Sequence, residues 1–191
     1  MEIGLYFGSF NPIHTGHLII VNHILNTTAV EKIWFIVSPQ NPLKKTESLL
    51  GAPERLKLVK LAIETDPRFE VSDIEFHLPK PSYTINTLSN LKNNFPQAKF
   101  YLIVGSDNYL NFSKWKSSYQ LKSEHTILVY QRPGFPLNAE KEFSNIQVLD
   151  APLLEISSTN IRQLIRDKKS VRYLVPEPVY IALKANNYYK L

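Results

Sequence analysis

The stretch Gly8-Ser9-Phe10-Asn11-Pro12-Ile13-His14-Thr15-Gly16-His17 joins an apolar run at residues 3–7 to a second one at residues 18–25. The first run is typical of a strand buried on both faces of a parallel sheet, and the second is typical of a helix. Backbone amides at a helix start carry partial positive charge and bind anions. His14 and His17 are three residues apart, so both imidazoles lie on one side of the first turn. This pattern predicts a phosphate site with two histidine donors.

The alternative for either histidine is a structural role. A lone histidine beside a helix start is more often a cap or a packed side chain than a ligand. Here Thr15 and Gly16 separate two histidines, and Gly16 lets a phosphate approach the backbone closely. Within a strand–loop–helix frame this pair is a more specific signal than either residue alone, and it favours the functional interpretation.

Strand-like and helical patterns alternate along the chain. Strands are predicted at residues 3–7, 32–37, 69–71, 100–104, 126–130 and 146–149, and helices at residues 17–26, 53–64, 83–93, 119–122, 159–167 and 178–184. This alternation favours an α/β fold, a Rossmann-like doubly wound parallel sheet with a small helical C-terminal part. Ligands of such sheets bind beyond the carboxyl ends of the strands, where the strand order reverses. Ser82 or Thr84 is expected to cap the third helix.

Composition narrows the class of protein. The chain has 191 residues, which suits one domain over residues 1–191, and it has no cysteine, so disulfides and thiolate metal sites are excluded. No signal peptide or bilayer-spanning run is visible, which predicts a soluble cytoplasmic protein without membrane contact. The net charge of +5 would suit nucleic acid or small polyanions. Since the lysines are spread out and there is no arginine-rich arm, we favour small phosphorylated ligands and expect no nucleic-acid partner.

Three segments offer residues for a second substrate. Lys44, in the loop at residues 38–51, could reach a phosphate as a point charge, although a solvated loop is the commoner case. That loop is expected to be mobile and to cover the site. Thr84 opens a helix whose hydroxyl and amides suit a carboxylate, although a plain cap is commoner. Trp115 could stack on an aromatic ring or pack in the core, whereas Trp34 lies inside a strand and is expected in the core.

Polar residues also follow the fourth and fifth predicted strands. Gly105 and Asp107 come directly after residues 100–104, where a carboxylate can accept hydrogen bonds from ribose hydroxyls or cap a helix. Arg132 follows residues 126–130 and could face a phosphate, with Pro133 and Gly134 shaping the turn.

A second helix start is rich in hydroxyl groups. Ser157, Ser158 and Thr159 precede Arg162, and a plain cap would need only one of these hydroxyls. Amides and hydroxyls below a guanidinium fork suit the terminal phosphates of a nucleoside triphosphate. We therefore expect Ser158, Thr159 and Arg162 to bind phosphates.

These segments together resemble the bacterial nicotinate-nucleotide adenylyltransferases, and the resemblance covers nearly the whole chain. The stretch from Gly8 to His17 reads as the His-x-Gly-His motif of the nucleotidyltransferase superfamily, which also shares the segment at residues 156–162. Narrower matches are Ser82-Tyr83-Thr84, Trp115 and Arg132-Pro133-Gly134-Phe135, with further support from the segment ending at Lys44 and from residues 174–179.

Two positions depart from the family pattern Gly-Gly-Ser/Thr-Phe-Asp. Phe7 replaces the first glycine and is expected to narrow the loop near the nucleotide. Asn11 replaces the aspartate and keeps its hydrogen-bonding shape without its charge, so a carboxylate role at this position is not expected here. Neither change touches the histidines.

The resemblance implies adenylyl transfer from ATP to nicotinate mononucleotide, giving deamido-NAD and pyrophosphate in NAD biosynthesis. It implies His14 and His17 as the catalytic pair. The implied ATP-binding residues are Gly8, Ser9, Phe10, Gly16, Gly105, Asp107, Ser158, Thr159 and Arg162. The implied acceptor-binding residues are Asn11, Lys44, Thr84, Trp115 and Arg132. Mg²⁺ is expected mainly on the ATP phosphates, with no protein metal site, and residues 156–191 are expected to complete the ATP site.

Two alternatives stay open at this point. A related adenylyltransferase would use nicotinamide mononucleotide or pantetheine phosphate as acceptor, which the Ser-Tyr-Thr segment and Trp115 argue against only through the resemblance. A non-catalytic nucleotide- or RNA-binding module would use the basic surface and bind RNA in a salt-sensitive way. A homo-oligomer is compatible with the sequence, which does not define the oligomeric state.

Overall fold

A single parallel sheet is the centre of the computed structural model, which describes residues 1–39, 49–137 and 143–190. Its six strands are β1 (Glu2–Gly8), β2 (Lys32–Val37), β3 (Phe69–Ser72), β4 (Lys99–Gly105), β5 (Thr126–Tyr130) and β6 (Ile146–Leu149). They lie in the order β3-β2-β1-β4-β5-β6, and every neighbouring pair is parallel. The strand order reverses between β1 and β4, so the carboxyl ends of these two strands mark the expected ligand crevice.

The helices agree with the predicted ones to within two residues at each end. They are α1 (Thr15–Thr27), α2 (Ala52–Ile63), α3 (Thr84–Asn94), α5 (Ser118–Glu124), α6 (Ser158–Arg166) and α7 (Glu177–Ala185), with a short helix α4 (Ser106–Tyr109) that the sequence pattern did not predict. The predicted fold class is confirmed.

Two apolar cores lie on opposite faces of the sheet. Alternate residues of each inner strand belong to different cores, as the two-residue period of a strand requires. On β2, for example, Phe35 faces the core made with α1, α2, α6 and α7, while Trp34 faces the core made with α3 and α5. Trp34 is therefore a core residue, as predicted from its place in a strand.

The C-terminal part shares the first of these cores. Ile161 of α6 and Val179 of α7 are fully buried in the same cluster as Ile20 and Val21 of α1. Helix α7 packs against α2, and the backbone N–H of Thr15 donates to the carbonyl of Leu174 at 2.9 Å. The start of α1 is thus held from both the sheet and the C-terminal segment.

Two predictions about loops need comment. The N-cap of α3 is Tyr83, and no side chain caps it, so the prediction that Ser82 or Thr84 caps this helix is wrong. The reason is a competing partner, since the Ser82 hydroxyl donates to the buried carboxylate of Glu75 at 3.1 Å. Of the loop predicted to cover the site, residues 40–48 lie outside the described residues, and Lys44 is among them.

No helix in the described ranges is long and apolar enough to cross a membrane.

Candidate active site

A cavity of about 360 Å³ opens at the carboxyl ends of β1 and β4, where the strand order reverses. Its walls come from the turn after β1, the start of α1, the end of β4, the segment after β5 and the start of α6. Most of the predicted site residues line it: Gly8, Ser9, Phe10, Asn11, His14, His17, Gly105, Asp107, Trp115, Arg132, Ser158, Thr159 and Arg162. Gly16 lies in a smaller adjoining cavity with both histidines. Thr84 is not among the described residues that line either cavity.

The two histidines form a stacked pair at the start of α1. His14 is the N-cap residue, and its ring lies 3.6 Å from that of His17, centroid to centroid, at an angle of 26°. The His14 backbone N–H donates to Nδ1 of His17 at 3.1 Å. Because an imidazole nitrogen that accepts carries no proton, the ring proton of His17 is assigned to Nε2. His17 is therefore held as a neutral donor.

Both imidazoles are uncharged at neutral pH. Burial, together with the nearby charge of Arg132, lowers the pKa of His14 to about 3. Burial also lowers the pKa of His17 well below its usual value, with smaller contributions from His14 and Arg132. Nδ1 of His14 is buried over the first turn of α1, where the ring faces the backbone N–H of His17 in a reciprocal capping arrangement without a hydrogen bond of full geometry. A ring nitrogen that faces an N–H carries no proton, so Nε2 is the nitrogen of a neutral His14 that could donate to a phosphate oxygen.

Two glycines make room for these rings. A Cβ atom at Gly8 would meet the Phe10 ring at 2.8 Å, since Phe10 turns back over the strand end with a positive φ of 44°. A Cβ atom at Gly16 would lie 3.1 Å from Nδ1 of His14. The sequence pattern predicted that Gly16 lets a phosphate approach the backbone. In the structure, Gly16 also leaves space for the neighbouring histidine.

The start of α6 docks on the turn after β1. Ser157 is the N-cap residue, and its hydroxyl accepts from the N–H of Asn160 at 3.2 Å. The Ser158 hydroxyl donates to the carbonyl of Pro12 at 2.9 Å. All three hydroxyl groups thus have protein partners, since the Thr159 hydroxyl accepts from Nη2 of Arg162. Thr159 is exposed.

Arg162 is the cation of this helix start. Its Nη1 donates to the carbonyl of Asn11 at 2.7 Å, and its Nη2 donates to the Thr159 hydroxyl at 3.3 Å. Its Nε is buried and has no hydrogen-bond partner within the described part of the chain. Burial lowers the pKa of this guanidinium, which is nonetheless always charged at neutral pH. Arg162 thus lines the cavity from α6 and at the same time binds the turn after β1.

An ion pair closes the opposite wall. Nη1 of Arg132 lies 3.6 Å from Oδ2 of Asp107, and the Arg132 backbone N–H donates to the Ser106 hydroxyl at 2.9 Å. These contacts tie the segment after β5 to the end of β4. The other carboxylate oxygen of Asp107 is buried and lacks a partner in the described ranges, so it can accept a hydrogen bond.

Trp115 forms part of the wall beside β4. It is half-buried and stacks on Phe112, with ring centroids 4.6 Å apart at 22°. One ring face is thus packed on the second core, while the side chain also borders the cavity. The core contact is thus observed, and stacking of Trp115 on a ligand ring stays a prediction.

Asn11 has a structural role in addition to its place on the wall. Its side-chain oxygen accepts from the Leu50 N–H at 3.1 Å and from the Tyr189 hydroxyl at 2.7 Å. Both bonds need only an acceptor oxygen, which an amide supplies as well as a carboxylate. The replacement of the family's aspartate is therefore compatible with this local structure.

Several residues of the site were not predicted from the sequence. Tyr6 and Tyr130 share a hydrogen bond of 2.9 Å between their hydroxyls beneath the histidines, and the Tyr6 ring lies 5.9 Å from that of His17. Tyr130 ends β5, and both tyrosines look like ordinary strand residues in the sequence. Arg55 could have been found, because it precedes Leu58 and Val59 by three and four residues and so places a cation on the apolar face of α2.

Comparison with known proteins agrees with this geometry. The family model for cytidylyltransferase-like proteins matches residues 5–164. A relative from Cytophaga hutchinsonii named "Probable nicotinate-nucleotide adenylyltransferase" is 48% identical over 99% of this chain and 98% of its own length. A relative of the same name from Flavobacterium psychrophilum is 46% identical over 100% of both chains.

Solved structures support the fold. Nicotinic acid mononucleotide adenylyltransferase of Plasmodium falciparum, solved with NaAD, superposes with a TM-score of 0.84 at 21% identity, over 98% of this chain and 97% of that one. At this level of identity the likeness concerns the fold alone. The two full-length relatives and the family model together show that the chain belongs to the nicotinate-nucleotide adenylyltransferases of the cytidylyltransferase-like family.

Proposed function

We infer that this protein transfers the adenylyl group of ATP to nicotinate mononucleotide, releasing pyrophosphate and forming deamido-NAD. One observation carries the inference. A pair of neutral, stacked histidines at the start of α1 shares one cavity with the hydroxyls and guanidinium at the start of α6. Two helix starts that converge on one cavity suit a ligand with several phosphates.

The reaction is a direct in-line transfer. A phosphate oxygen of nicotinate mononucleotide forms a bond to the α-phosphorus of ATP, and the bond from that phosphorus to the oxygen bridging to the β-phosphate breaks. The nucleophile is already an anion, so no general base is needed. The protein aligns the groups and stabilises the charge that develops on the phosphoryl oxygens. We propose that His14 and His17 donate to these oxygens.

The rest of the cavity provides for the two ends of ATP. Arg162, Thr159 and the amides of α6 bind the β- and γ-phosphates, so that residues 156–191 complete the site within a single domain. The free carboxylate oxygen of Asp107 accepts from the adenylate ribose. Gly8, Ser9, Phe10 and Gly105 then serve as close-fitting walls.

For the acceptor, Trp115 and Arg132 offer an aromatic wall and a positive charge within the same cavity. Thr84 remains our proposed partner of the nicotinate carboxylate, although it borders neither described cavity at the site. Lys44 is proposed for the acceptor phosphate from the sequence pattern alone.

Mg²⁺ is proposed to enter with ATP. The described residues contain no cluster of three or more histidine, aspartate or glutamate side chains that could hold a metal ion. A magnesium ion coordinated mostly by phosphates and water fits this donor set better than an ion held by a protein cage. It would neutralise triphosphate charge, while the histidines and Arg162 act on the remaining oxygens.

The remaining partner assignments rest on the sequence. A cytoplasmic setting, the lack of a nucleic-acid partner and a homo-oligomeric state stay predictions.

The test is pyrophosphate release from ATP and Mg²⁺ with nicotinate mononucleotide, nicotinamide mononucleotide and phosphopantetheine in parallel. Strong preference for the first acceptor is expected. Preference for another would keep the histidine mechanism and overturn the acceptor assignment of Thr84 and Trp115. No release with any of the three would favour the binding module, which salt-sensitive RNA binding would then identify.

A further inference from the structure

A fully buried arginine lies behind the candidate active site. Arg55, in the first turn of α2, has no side-chain surface open to solvent. In the described part of the chain it forms no ion pair with a carboxylate. Burying a charge without an opposite charge costs several kcal/mol unless hydrogen bonds compensate. An apolar residue would suit this face of α2 better, so the guanidinium calls for an explanation.

Its hydrogen bonds supply that explanation. Nη1 donates to the carbonyls of Ser9 at 2.5 Å and Ser38 at 2.8 Å. Nη2 donates to the carbonyl of Pro39 at 2.9 Å, and Nε donates to the carbonyl of Leu50 at 2.8 Å. One side chain therefore binds three separate backbone segments.

These segments meet where β1 and β2 separate. The N–H of Ser38 donates to the carbonyl of Gly8 at 2.9 Å, just past the last paired residues of the two strands. Beyond that point the segment after β1 enters the turn that leads to His14, and the segment after β2 continues into Pro39, which has no N–H to donate. The guanidinium lies between the two diverging segments and supplies the hydrogen-bond donors that strand pairing no longer provides there. It can do so because its planar set of donors matches several carbonyls at fixed spacing.

We propose that Arg55 is a positioning residue of the transfer reaction: it fixes the turn that leads to His14 and His17 relative to the segment after β2. The proposal rests on the function inferred above. Arg55 is absent from the cavity lining, so it acts through the backbone that it holds. The Leu50 N–H donates to Asn11, so the same contacts continue into the turn after β1. A displacement of about 1 Å at a reacting group can cost about a hundredfold in rate.

The experiment compares Arg55→Met and Arg55→Lys with the wild type. For each protein, kcat and both KM values are measured with the acceptor that the wild type prefers, and urea unfolding gives the folded fraction under assay conditions. Arg68→Met and Arg68→Lys are matched controls, because Arg68 is partly exposed and binds Asp66 and Asn22 away from the site. Expressing every rate relative to wild type keeps this test separate from the choice of acceptor.

For Arg55→Met we expect kcat per folded molecule to fall about tenfold to a hundredfold. For Arg55→Lys we expect a smaller loss of at least about threefold, since an ammonium donates up to three hydrogen bonds but lacks the planar fork. The Arg68 variants should keep the wild-type kcat. If the unfolded fraction accounts for the whole loss in the Arg55 variants, the residue is merely structural and the proposal fails. Should Arg55→Met not fold, a wild-type kcat in Arg55→Lys would overturn it equally.

Discussion

The starts of α1 and α6 are the same structural device in two different environments. Each is a helix N-terminus that faces the turn after β1, and each brings side chains to one cavity. At α1 the side chains are two stacked imidazoles, and burial keeps both neutral. At α6 Thr159 is exposed, and Arg162 carries a permanent charge. The residue type and its burial together set this difference: buried imidazoles lose their charge and stay neutral donors, whereas a guanidinium keeps its charge even when partly buried.

This difference suits the two groups of phosphates in the proposed reaction, the reacting phosphoryl group and the terminal phosphates of ATP. Neutral N–H donors at a dry site gain strength as charge develops on the reacting phosphoryl group. A guanidinium nearer solvent suits the terminal phosphates, which are charged before and after the transfer. Changes at α1 should therefore lower kcat, whereas changes at α6 should mainly raise the KM for ATP.

The largest effect is expected for His17→Ala. Loss of a preorganised donor typically costs about a hundredfold or more in rate, and we expect that loss in kcat with the fold retained. The matched control is His23→Ala on the same helix, since His23 does not border the cavity. Retention of more than about a tenth of the wild-type kcat by His17→Ala would show that α1 has no catalytic donor at this position.

A smaller effect, on binding, is expected for Arg162→Ala. A hydrogen bond to a charged group contributes about 1.5–3 kcal/mol, which corresponds to a rise of about tenfold to a hundredfold in the KM for ATP. Arg166→Ala, one turn further along α6, serves as the control because Arg166 borders a different cavity. A fall in kcat with unchanged KM would remove the distinction between the two helix starts.

Low pH should reduce the free energy of unfolding of the ligand-free protein because His14 and His17 then take up protons on unfolding. Their folded pKa values are lowered, so the unfolded chain binds more protons between the folded values and about 6.5, and stability falls as pH falls through that window. Each histidine contributes a slope approaching about 1.4 kcal/mol per pH unit. Urea unfolding at pH 7.5, 6 and 5 should show this slope, and His14→Asn should flatten it by about one proton. An unchanged slope in that variant would mean that His14 protonates normally.

The smallest effect is expected for Ser157→Ala. Loss of an N-cap hydroxyl costs about 1 kcal/mol, so the free energy of unfolding should fall by that amount with little change in kcat. Ser158→Ala is the comparison, because its hydroxyl holds the carbonyl of Pro12 in the turn after β1. We expect this second variant to raise the KM for ATP as well. Equal behaviour of the two variants would show that docking of α6 on the turn is unimportant.

Local sequence patterns predicted the fold because each apolar run or helical spacing indicates the strand or helix that contains it. Continuous apolar runs indicated the buried strands, and the glycine–histidine stretch after β1 indicated the turn that lines the cavity. The α3 cap failed as a prediction because Ser82 found a stronger partner in Glu75, which lies seven residues earlier. A cap pattern contains no information about such a competitor.

Contacts between residues that are distant in the sequence were not predicted either, because a local pattern contains no information about a distant partner. Tyr6 and Tyr130 are 124 residues apart and meet only because β1, β4 and β5 lie side by side. Tyr189 reaches Asn11 over 178 residues, and its near-terminal position in the chain does not reveal that contact. Only the packed sheet brings these side chains together.

The amino-acid sequence alone was enough to predict the order of strands and helices, the turn after β1 that lines the cavity, and the pairing of His14 with His17. These features follow from periodicity and from residues within a few positions of one another. The tertiary structure alone decided that both imidazoles are neutral, that Ser158 and Arg162 are tied to the turn after β1, and that Arg55 joins the segments after β1 and β2. The physical reason is that pKa values and hydrogen-bond partners depend on burial and on distant neighbours, which exist only once the chain has folded.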